Sequence, residues 1–380
     1  MNRTSDKIRV LYVIPTLDFG GAERQLIRLC IHLNKDAFDT QIVLLYGRTE
    51  LLDTAYADVQ PLKVTKLVHR RKYSICRLFD LRRILKEWKP DIVHTFLPAG
   101  NFWGTLAARL FGDAKIVASS RGIHRRRTGR HDFMDYLSFN FLCERVVVNS
   151  EAVRNNCIDI LKVAADKTVI INNSVSSEQD SIRQDKDKRE SDSGGSDRPV
   201  ITTVARLDKL KDVGCLIEAA GILHRQGVRA TFLIAGKGPG EEALKRQAAE
   251  TGMADEIRFL GHVGDVEGLL SKTDIFVLPT LSEGCSNAIL EAMAKGLPIV
   301  STSIAANREL LESGRSGLLV PPGNAHLLAE AVRRFIDDPV FARSCGMNAR
   351  HKAAEYDVHT VIRQYECFYE GLLQEGRCES

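Results

Sequence analysis

Two glutamates in the second half of the chain have a setting that a surface helix does not need. The stretch LSEGCSNAILEAMAKGLPIVST (residues 281–302) places Glu283 in a loop and Glu291 among small and apolar residues, about one turn into a helix. A carboxylate with apolar neighbours needs a partner, and a ligand diol would provide one. The simpler alternative is a surface ion pair between Glu291 and Lys295 at i,i+4 spacing. The presence of both Glu283 and Glu291 in this stretch favours a site that binds a hydroxyl-rich ligand.

The loop between the two acids can also bind an anion. Ser286 or Asn287 is a typical N-cap for the helix that follows, and Gly296 is typical of its C-terminal end. The backbone N–H groups of Cys285, Ser286 and Asn287 then point out of a helix N-terminus, where phosphate groups bind readily. The stretch therefore predicts a phosphate site beside the hydroxyl site.

Two cations extend this prediction. In VARLDKLKDV, Arg206 directly follows a buried strand and Lys211 lies five residues later. An arginine fork and a lysine point charge at the carboxyl end of a parallel strand can neutralise a pair of phosphates. The alternative is a solvated charge run, but the position at a strand end favours phosphate binding.

Glycine-rich turns occur after two strands. Gly236 follows a strand in LIAGKGPG, and Gly20 and Gly21 lie between the first strand and its helix in DFGGAERQL. Such glycines allow a phosphate to approach the backbone closely, with the helix N-terminus behind it. Glycine is also the default residue of a tight strand-to-helix turn, so this signal alone is weak.

A basic stretch follows a strand in the first half, SSRGIHRRRTGRHD. Arg121 and His124 are expected at the carboxyl end of that strand, whereas Arg125–Arg127 are expected to face water or an anionic surface. Further cations at residues 69–72 make this half basic, which leaves open a contact with anionic lipid headgroups. A solvated charged loop is the alternative. His94, at the end of the DIVHTF strand, is expected to be a satisfied core histidine.

The elements that position these residues alternate between buried strands and amphipathic helices, which predicts α/β domains with parallel sheets. Two such series, at residues 1–175 and 200–355, predict two tandem Rossmann-like, doubly wound domains that face each other across a cleft. Residues 176–199 are almost free of apolar side chains and read as a flexible linker. A last helix at 356–375 is expected to pack back on the first domain.

Composition excludes several classes of protein. The chain has 380 residues, 44% of them hydrophobic and 27% charged, which is typical of a soluble protein with two domains. No apolar run approaches the roughly 20 residues that span a bilayer, and the N-terminus has no signal-peptide pattern. Nine scattered cysteines indicate reduced thiols in a cytosol. The net charge of +4 does not imply nucleic acid as a partner.

Together these motifs resemble the retaining, nucleotide-sugar-dependent glycosyltransferases of the large bacterial group called family 4, which have the two-Rossmann GT-B fold. The resemblance covers nearly the whole chain. It rests on GGAER at 20–24, on R-L-x-x-x-K at 206–211, on G-x-G-P at 236–239, and above all on E-x7-E at 283–291.

The resemblance implies a role for each residue. Glu283 would contact the hydroxyls of the donor sugar, and Glu291 would hold the ribose. Either His124 or Arg121 would lie near the donor sugar. The donor phosphates would be bound by Gly20, Gly21, Arg206, Lys211 and Gly236 and by the backbone of Cys285, Ser286 and Asn287.

The resemblance also implies the chemistry. A nucleotide sugar, with UDP expected as the nucleotide, would be the donor substrate, and a glycan or a polyprenyl-diphosphate-linked acceptor would receive the sugar in lipopolysaccharide or other surface polysaccharide synthesis. No metal or other cofactor is expected, because the D-x-D at 185–187 falls in the linker. The expected location is the cytoplasm, with peripheral contact at the inner face of the membrane left open. A sugar-nucleotide 2-epimerase of the same fold and an inactive scaffold subunit remain as alternatives.

Overall fold

The structure, a computed structural model, describes residues 7–54, 56, 62–67, 74–124, 129–175 and 198–375. It consists of two compact units, one of Met1–Ser174 with Val358–Ser380 and one of Val175–Asp357. Each unit contains one parallel sheet covered by helices, so the two doubly wound α/β domains predicted from the sequence are confirmed. Most of the predicted linker, at 176–197, lies outside the described residues.

The first unit contains a seven-stranded parallel sheet in the order β3-β2-β1-β4-β5-β6-β7. Its strands are β1 (Ile8–Ile14), β2 (Phe38–Leu44), β3 (Val64–Lys66), β4 (Ile92–Phe96), β5 (Lys115–Ser120), β6 (Arg145–Val148) and β7 (Thr168–Ile170). The central strands are apolar and buried on both faces, as a sheet between two helix layers requires.

Helices cover both faces of this sheet. They are α1 (Gly21–His32), α2 (Glu50–Thr54), α3 (Cys76–Trp88), α4 (Leu97–Phe111), α5 (Arg130–Leu137) with a π-helical turn at Ser138–Leu142, α6 (Glu151–Leu161) and the C-terminal α14 (Val358–Glu375). Helix α14 packs with α1 on one face, where Val361, Ile362 and Tyr369 belong to the same core as β1. The opposite face is covered by α3, α4 and α6.

The second unit contains a six-stranded parallel sheet in the order β10-β9-β8-β11-β12-β13. Its strands are β8 (Val200–Val204), β9 (Thr231–Ala235), β10 (Ile257–Gly261), β11 (Ile275–Leu278), β12 (Ile299–Thr302) and β13 (Leu318–Val320). Its helices are α7 (Val213–Arg225), α8 (Glu241–Glu250), α9 (Val266–Leu270), α10 (Asn287–Ala294), α11 (Ala305–Leu310), α12 (Ala325–Asp337) and α13 (Pro339–Ala353).

The start of helix α4 differs from what the sequence pattern indicates. Helix α4 begins at Leu97, whereas the sequence pattern predicts helix only from Gly104. Pro98 lies in the first turn, where its missing N–H costs no hydrogen bond. Gly100 lies so close to β1 that a Cβ there would be 2.8 Å from the Val13 carbonyl oxygen. The proline and glycine that read as a loop therefore belong to a helix that packs tightly on the sheet.

Candidate active site

In the second unit, the predicted donor residues lie at the carboxyl edge of two neighbouring strands. Strands β8 and β11 are paired, and the strand order reverses at this point because β9 lies on the other side of β8. Arg206 and Lys211 follow β8, and Glu283 follows β11. Ligands of doubly wound sheets bind at such a switch point, outside the carboxyl ends of the strands.

Two hydrogen bonds join the loops after these strands. The N–H of Leu281 donates to the Leu210 carbonyl at 2.7 Å, and the Thr280 hydroxyl donates to the same carbonyl at 2.9 Å. Thr280 is completely buried. Two loops far apart in the sequence therefore form one rigid wall at the edge of the sheet.

Lys211 and Glu283 form an ion pair across this wall, with the Lys211 Nζ bound to the Glu283 Oε1. The Lys211 side chain is only 22% exposed and that of Glu283 only 13%, so the pair is partly desolvated. Sequence reasoning assigns Lys211 to the phosphates and Glu283 to the sugar. The structure shows that the two side chains are also partners of each other.

Arg206 lies on the outside of the same wall. Its side chain is 72% exposed, and its Nε donates to the Asp208 carboxylate at 2.6 Å. Asp208 also accepts from the backbone N–H of Leu210 at 2.9 Å, which fixes the loop that carries Lys211. An exposed guanidinium held at one end by a short loop can still reach an anion at the edge of the sheet.

The glycines after β9 have a packing role. Gly236 has φ +139°, and a Cβ there would be 1.9 Å from the Ala205 carbonyl oxygen. A Cβ at Gly238 would be 2.3 Å from the Leu207 carbonyl oxygen. The turn after β9 thus lies directly against the loop that begins at Arg206, and only glycine permits this approach. Phosphate binding by Gly236 stays a prediction.

Helix α10 starts from this wall. Ser286 is its N-cap, and the Ser286 hydroxyl accepts from the Ile289 N–H at 3.3 Å. Gly296 follows the helix with φ +70°, as predicted for its end. Glu291 is half-buried on the second turn, and Lys295 is bound instead to Glu267 of α9 at 2.6 Å. Lys295 is thus paired with a different acid, which argues against the alternative of a Glu291–Lys295 surface ion pair.

In the first unit, Gly20 is the N-cap of α1 and Gly21 its first residue. The Glu23 side chain folds back over Gly20, so that a Cβ at Gly20 would be 2.1 Å from the Glu23 Oε2. The pKa of Glu23 is raised to about 7, mainly by burial; the hydrogen bond from its own backbone N–H acts against the shift, and nearby Asp18 adds to it. Sequence reasoning did not single out Glu23, although the GGAER motif contains it.

Arg121 is held by three groups of the first unit. Its Nη1 donates to the Asn173 side chain at 3.0 Å, its Nη2 donates to the Tyr365 hydroxyl of α14, and its guanidinium lies 5.2 Å above the Phe96 ring. These contacts hold the side chain at the carboxyl end of β5. Arg121 therefore also fastens the C-terminal helix to the sheet.

His124 is nine-tenths buried and its two ring nitrogens both have partners. Its Nε2 lies 2.9 Å from the Ser120 hydroxyl, and its Nδ1 lies 3.0 Å from the Asp132 carboxylate of α5. Asp135 lies 3.9 Å from the same nitrogen. The sequence could have shown this pair of acids, because they are three residues apart and therefore share one face of a helix.

Asp135 is the most buried acid near His124. Its pKa is raised to about 8, mainly by burial; a hydrogen bond from the Asn101 side chain at 2.7 Å acts against the shift, and nearby Asp132 adds to it. The side chain is therefore largely protonated at neutral pH. His94 is fully buried, with Tyr369 at 2.7 Å and Ser119 at 2.8 Å on its two nitrogens, in agreement with the prediction of a core histidine.

Some predictions fall outside what the structure describes. Arg125–Arg127 and the cations at 69–72 lie outside the described residues. Among the residues that are described, no cluster of His, Cys, Asp and Glu could hold a metal ion. None of the described helices is both long and apolar enough to cross a membrane.

Comparison with known families covers both halves of the chain. The model of the Glycosyltransferase Family 4 domain matches residues 19–179, and the model described as Glycosyl transferases group 1 matches residues 198–338. Both halves of the chain thus match models of glycosyltransferase domains. The enzyme class that the sequence predicts, a glycosyltransferase, is thereby confirmed for the domains.

Relatives of these domains differ in how much of the chain they match, from about half of it to nearly all of it. The alpha-D-kanosaminyltransferase of Streptomyces kanamyceticus is 33% identical over 179 residues, which are 46% of this chain and 46% of that relative. This alignment thus spans about half of the relative's length and about half of this chain. The UDP-Gal:alpha-D-GlcNAc-diphosphoundecaprenol alpha-1,3-galactosyltransferase of Escherichia coli is 27% identical over 93% of this chain and 94% of its own.

The fold of the two transferase domains has solved counterparts. The Anabaena protein Alr3699/HepE, in complex with UDP and glucose, superposes with a TM-score of 0.81 and 21% identity, over 96% of this chain and all of that one. The predicted GT-B fold is thereby confirmed.

Proposed function

We propose that the protein is a retaining, metal-independent glycosyltransferase. In this proposal it moves a sugar from a nucleotide sugar, with UDP as the nucleotide, to a glycan or polyprenyl-diphosphate-linked acceptor in the synthesis of a cell-surface polysaccharide. The observation that carries it is the wall formed by the loops after β8 and β11, where Lys211 pairs with Glu283 and the exposed Arg206 lies on the same loop as Lys211. The name of the E. coli relative, a UDP-galactose-dependent enzyme with a lipid-diphosphate acceptor, supports the choice of substrates.

In the proposed reaction, the bond between the anomeric carbon and the diphosphate oxygen breaks, and negative charge develops on the leaving UDP. Lys211 and Arg206 neutralise that charge together with the N-terminus of α10, and such preorganised groups are usually the largest single contribution to catalysis. Glu283 accepts hydrogen bonds from the donor sugar, and Glu291 accepts them from the ribose diol. The diphosphate, the sugar and the ribose of one nucleotide sugar thus each have protein groups of suitable charge.

The acceptor hydroxyl attacks the same face of the sugar that UDP leaves. Its oxygen bonds to the anomeric carbon, and its proton passes to an oxygen of the departing diphosphate, so charges and atoms balance. In the first unit, Gly20 and Gly21 would lie against the donor phosphates and near the acceptor, and either Arg121 or His124 would lie near the donor sugar. The proposed location is the cytoplasm, in peripheral contact with an anionic membrane.

A transfer assay tests this proposal. The protein is incubated with a panel of UDP-sugars and a polyprenyl-diphosphate-linked sugar acceptor, and free UDP and the lengthened acceptor are measured. We expect one donor to be used without added metal and in the presence of a chelator, and we expect the NMR spectrum of the product to show the donor's anomeric configuration. Inversion would refute retention, and a loss of activity with chelator would refute metal independence. Donor binding without transfer to any acceptor would favour a binding subunit.

A further inference from the structure

Helix α3 exposes large apolar side chains in the first unit. Phe79 is 61% exposed and Ile75, four residues before it at the helix N-cap, is 63% exposed. Residues at i,i+4 spacing lie on the same face of a helix. At the end of helix α4, which packs against α3, Leu110 is 58% exposed. Single exposed apolar residues are common, but this group of three lies on one helix layer.

The same exposed face of α3 carries positive charge. Arg82, Arg83 and Lys86 follow Phe79 at helical spacing and are all exposed. Glu87 is the exposed acid in this part of α3, and Asp80 is half-buried. The three cations outnumber these two acids, so the apolar side chains have a basic border.

The opposite side of α3 is fixed to the domain. Leu81, Ile84 and Leu85 are buried in the core beneath the sheet. The Arg82 guanidinium lies 5.6 Å from the centre of the Phe111 ring of α4, which keeps α3 and the end of α4 together. The helix therefore presents a rigid, amphipathic and basic surface. We call the surface formed by Ile75, Phe79, Arg82, Arg83, Lys86 and Leu110 the α3 face.

We propose that the α3 face docks on an anionic lipid bilayer. Lysine is depleted from the cores of protein interfaces, whereas cations beside exposed aromatic and aliphatic residues suit a layer of negative headgroups over acyl chains. Helix α3 is 13 residues long. At 1.5 Å per residue it is about 20 Å long, which is sufficient for both ends to lie on one flat surface.

This inference rests on the proposed function in one respect, because an enzyme with a lipid-linked acceptor must work at a membrane. Helix α3 begins at the carboxyl edge of the sheet, since it connects the end of β3 to the start of β4 and the two strands are parallel. Docking through the α3 face would thus bring the edge with Gly20 and Arg121 close to the headgroups. A lipid diphosphate would then reach that edge without leaving its leaflet.

Vesicle binding of the full chain tests the inference. Co-sedimentation is measured with vesicles of phosphatidylcholine alone and of phosphatidylcholine mixed with phosphatidylglycerol, in low and high salt. We expect binding to the anionic vesicles that weakens with salt. Replacing the cations (R82Q/R83Q/K86Q) should weaken it on the order of a hundredfold, at about fivefold per charge. Replacing the apolar pair (I75S/F79S) should weaken it by at least about tenfold.

A matched control is available on the second unit. Helix α13 exposes Val340 by 70% and Met347 by 61%, so V340S/M347S changes equally exposed side chains elsewhere. Equal loss of binding in this control, or equal binding of the wild type to neutral vesicles, would overturn the inference. The inference would also be overturned if the wild type sediments as a dimer, and if I75S/F79S abolishes the dimer but leaves vesicle binding unchanged. UDP binding is measured on the same samples, because a wild-type protein that binds vesicles but no UDP would contradict the proposed function and not the docking.

Discussion

The ion pair between Lys211 and Glu283 gives the sharpest prediction about the donor site. If Lys211 serves the phosphates and Glu283 the sugar, substitutions of the two partners must have different effects on UDP, which lacks the sugar. Lys211→Met keeps the length of the side chain and removes its charge. Glu283→Gln keeps the shape and removes the carboxylate charge. Both side chains are mostly buried, with 22% and 13% exposure, so solvent screens their charges only in part.

The expected magnitudes follow from these contacts. Lys211→Met removes a charge-assisted hydrogen bond to the diphosphate, which is worth about 1.5–3 kcal/mol and should raise the Kd of UDP by about ten- to a hundredfold. Glu283→Gln removes a negative charge beside the phosphates and frees Lys211 from its partner. UDP should then bind as well as to the wild type or up to about tenfold more tightly, because two like charges a few ångströms apart repel by a few kcal/mol before screening. Sugar transfer by this variant should still fall.

Isothermal titration calorimetry with UDP measures both effects, and urea unfolding checks that each variant is folded. Lys209→Met is the matched control, because Lys209 is an exposed lysine of the same loop. We expect it to bind UDP like the wild type. If Glu283→Gln weakens UDP binding as much as Lys211→Met does, the pair is a structural support of the loop and the separate roles are wrong.

Three further predictions concern stability. Tyr369→Phe removes the hydroxyl that lies 2.7 Å from the Nδ1 of the buried His94. Urea unfolding should show that the free energy of unfolding falls by about 1–3 kcal/mol. An unchanged unfolding midpoint would contradict the account of this contact. Asp135 has a pKa of about 8 in the folded state against an ordinary 3.8. The folded protein therefore holds a proton that the unfolded chain loses, and stability should fall by up to about 1.4 kcal/mol per pH unit as the pH rises between these values. Asp135→Asn should flatten this dependence in thermal melts, and an equally steep profile would refute the assignment. Gly236→Ala should lower the free energy of unfolding by several kcal/mol, because its Cβ would be 1.9 Å from a carbonyl oxygen. Gly227→Ala, at a position with positive φ and open space around it, should lower it by only about 1–2 kcal/mol. Similar losses in the two variants would show that the loop at Gly236 adapts.

Much of the fold could be predicted from the sequence. The sequence KIVASS predicts a strand at 115–120, and β5 has these bounds, because a buried parallel strand is a continuous apolar run between polar ends. The start of α4 could not be predicted, since Pro98 and Gly100 are signals of a loop. Their acceptance in a first helical turn depends on the close approach of β1, which is a tertiary contact.

The candidate site divides in the same way. The motifs around Arg206 and Glu283 predict that both residues follow strands, and the structure places them there. The pairing of Lys211 with Glu283 could not be read from the sequence, because it joins loops that only the order of β8 and β11 brings together. The folding of Glu23 over Gly20 is equally a property of three-dimensional packing. The sequence therefore predicts which functional side chains are present and which strand end each of them follows. It does not predict which of these side chains pair with each other.

The measurement that tests the central claim most directly is the effect of UDP on thermal unfolding of the wild type and of Glu291→Ala. The account predicts that UDP raises the melting temperature of the wild type and has no effect on Glu291→Ala, because the ribose has lost its carboxylate. Glu330→Ala, an exposed glutamate of α12, should respond to UDP like the wild type. If no nucleoside diphosphate shifts the wild-type melting temperature, or if Glu291→Ala responds as fully as the wild type, the proposed donor site is wrong.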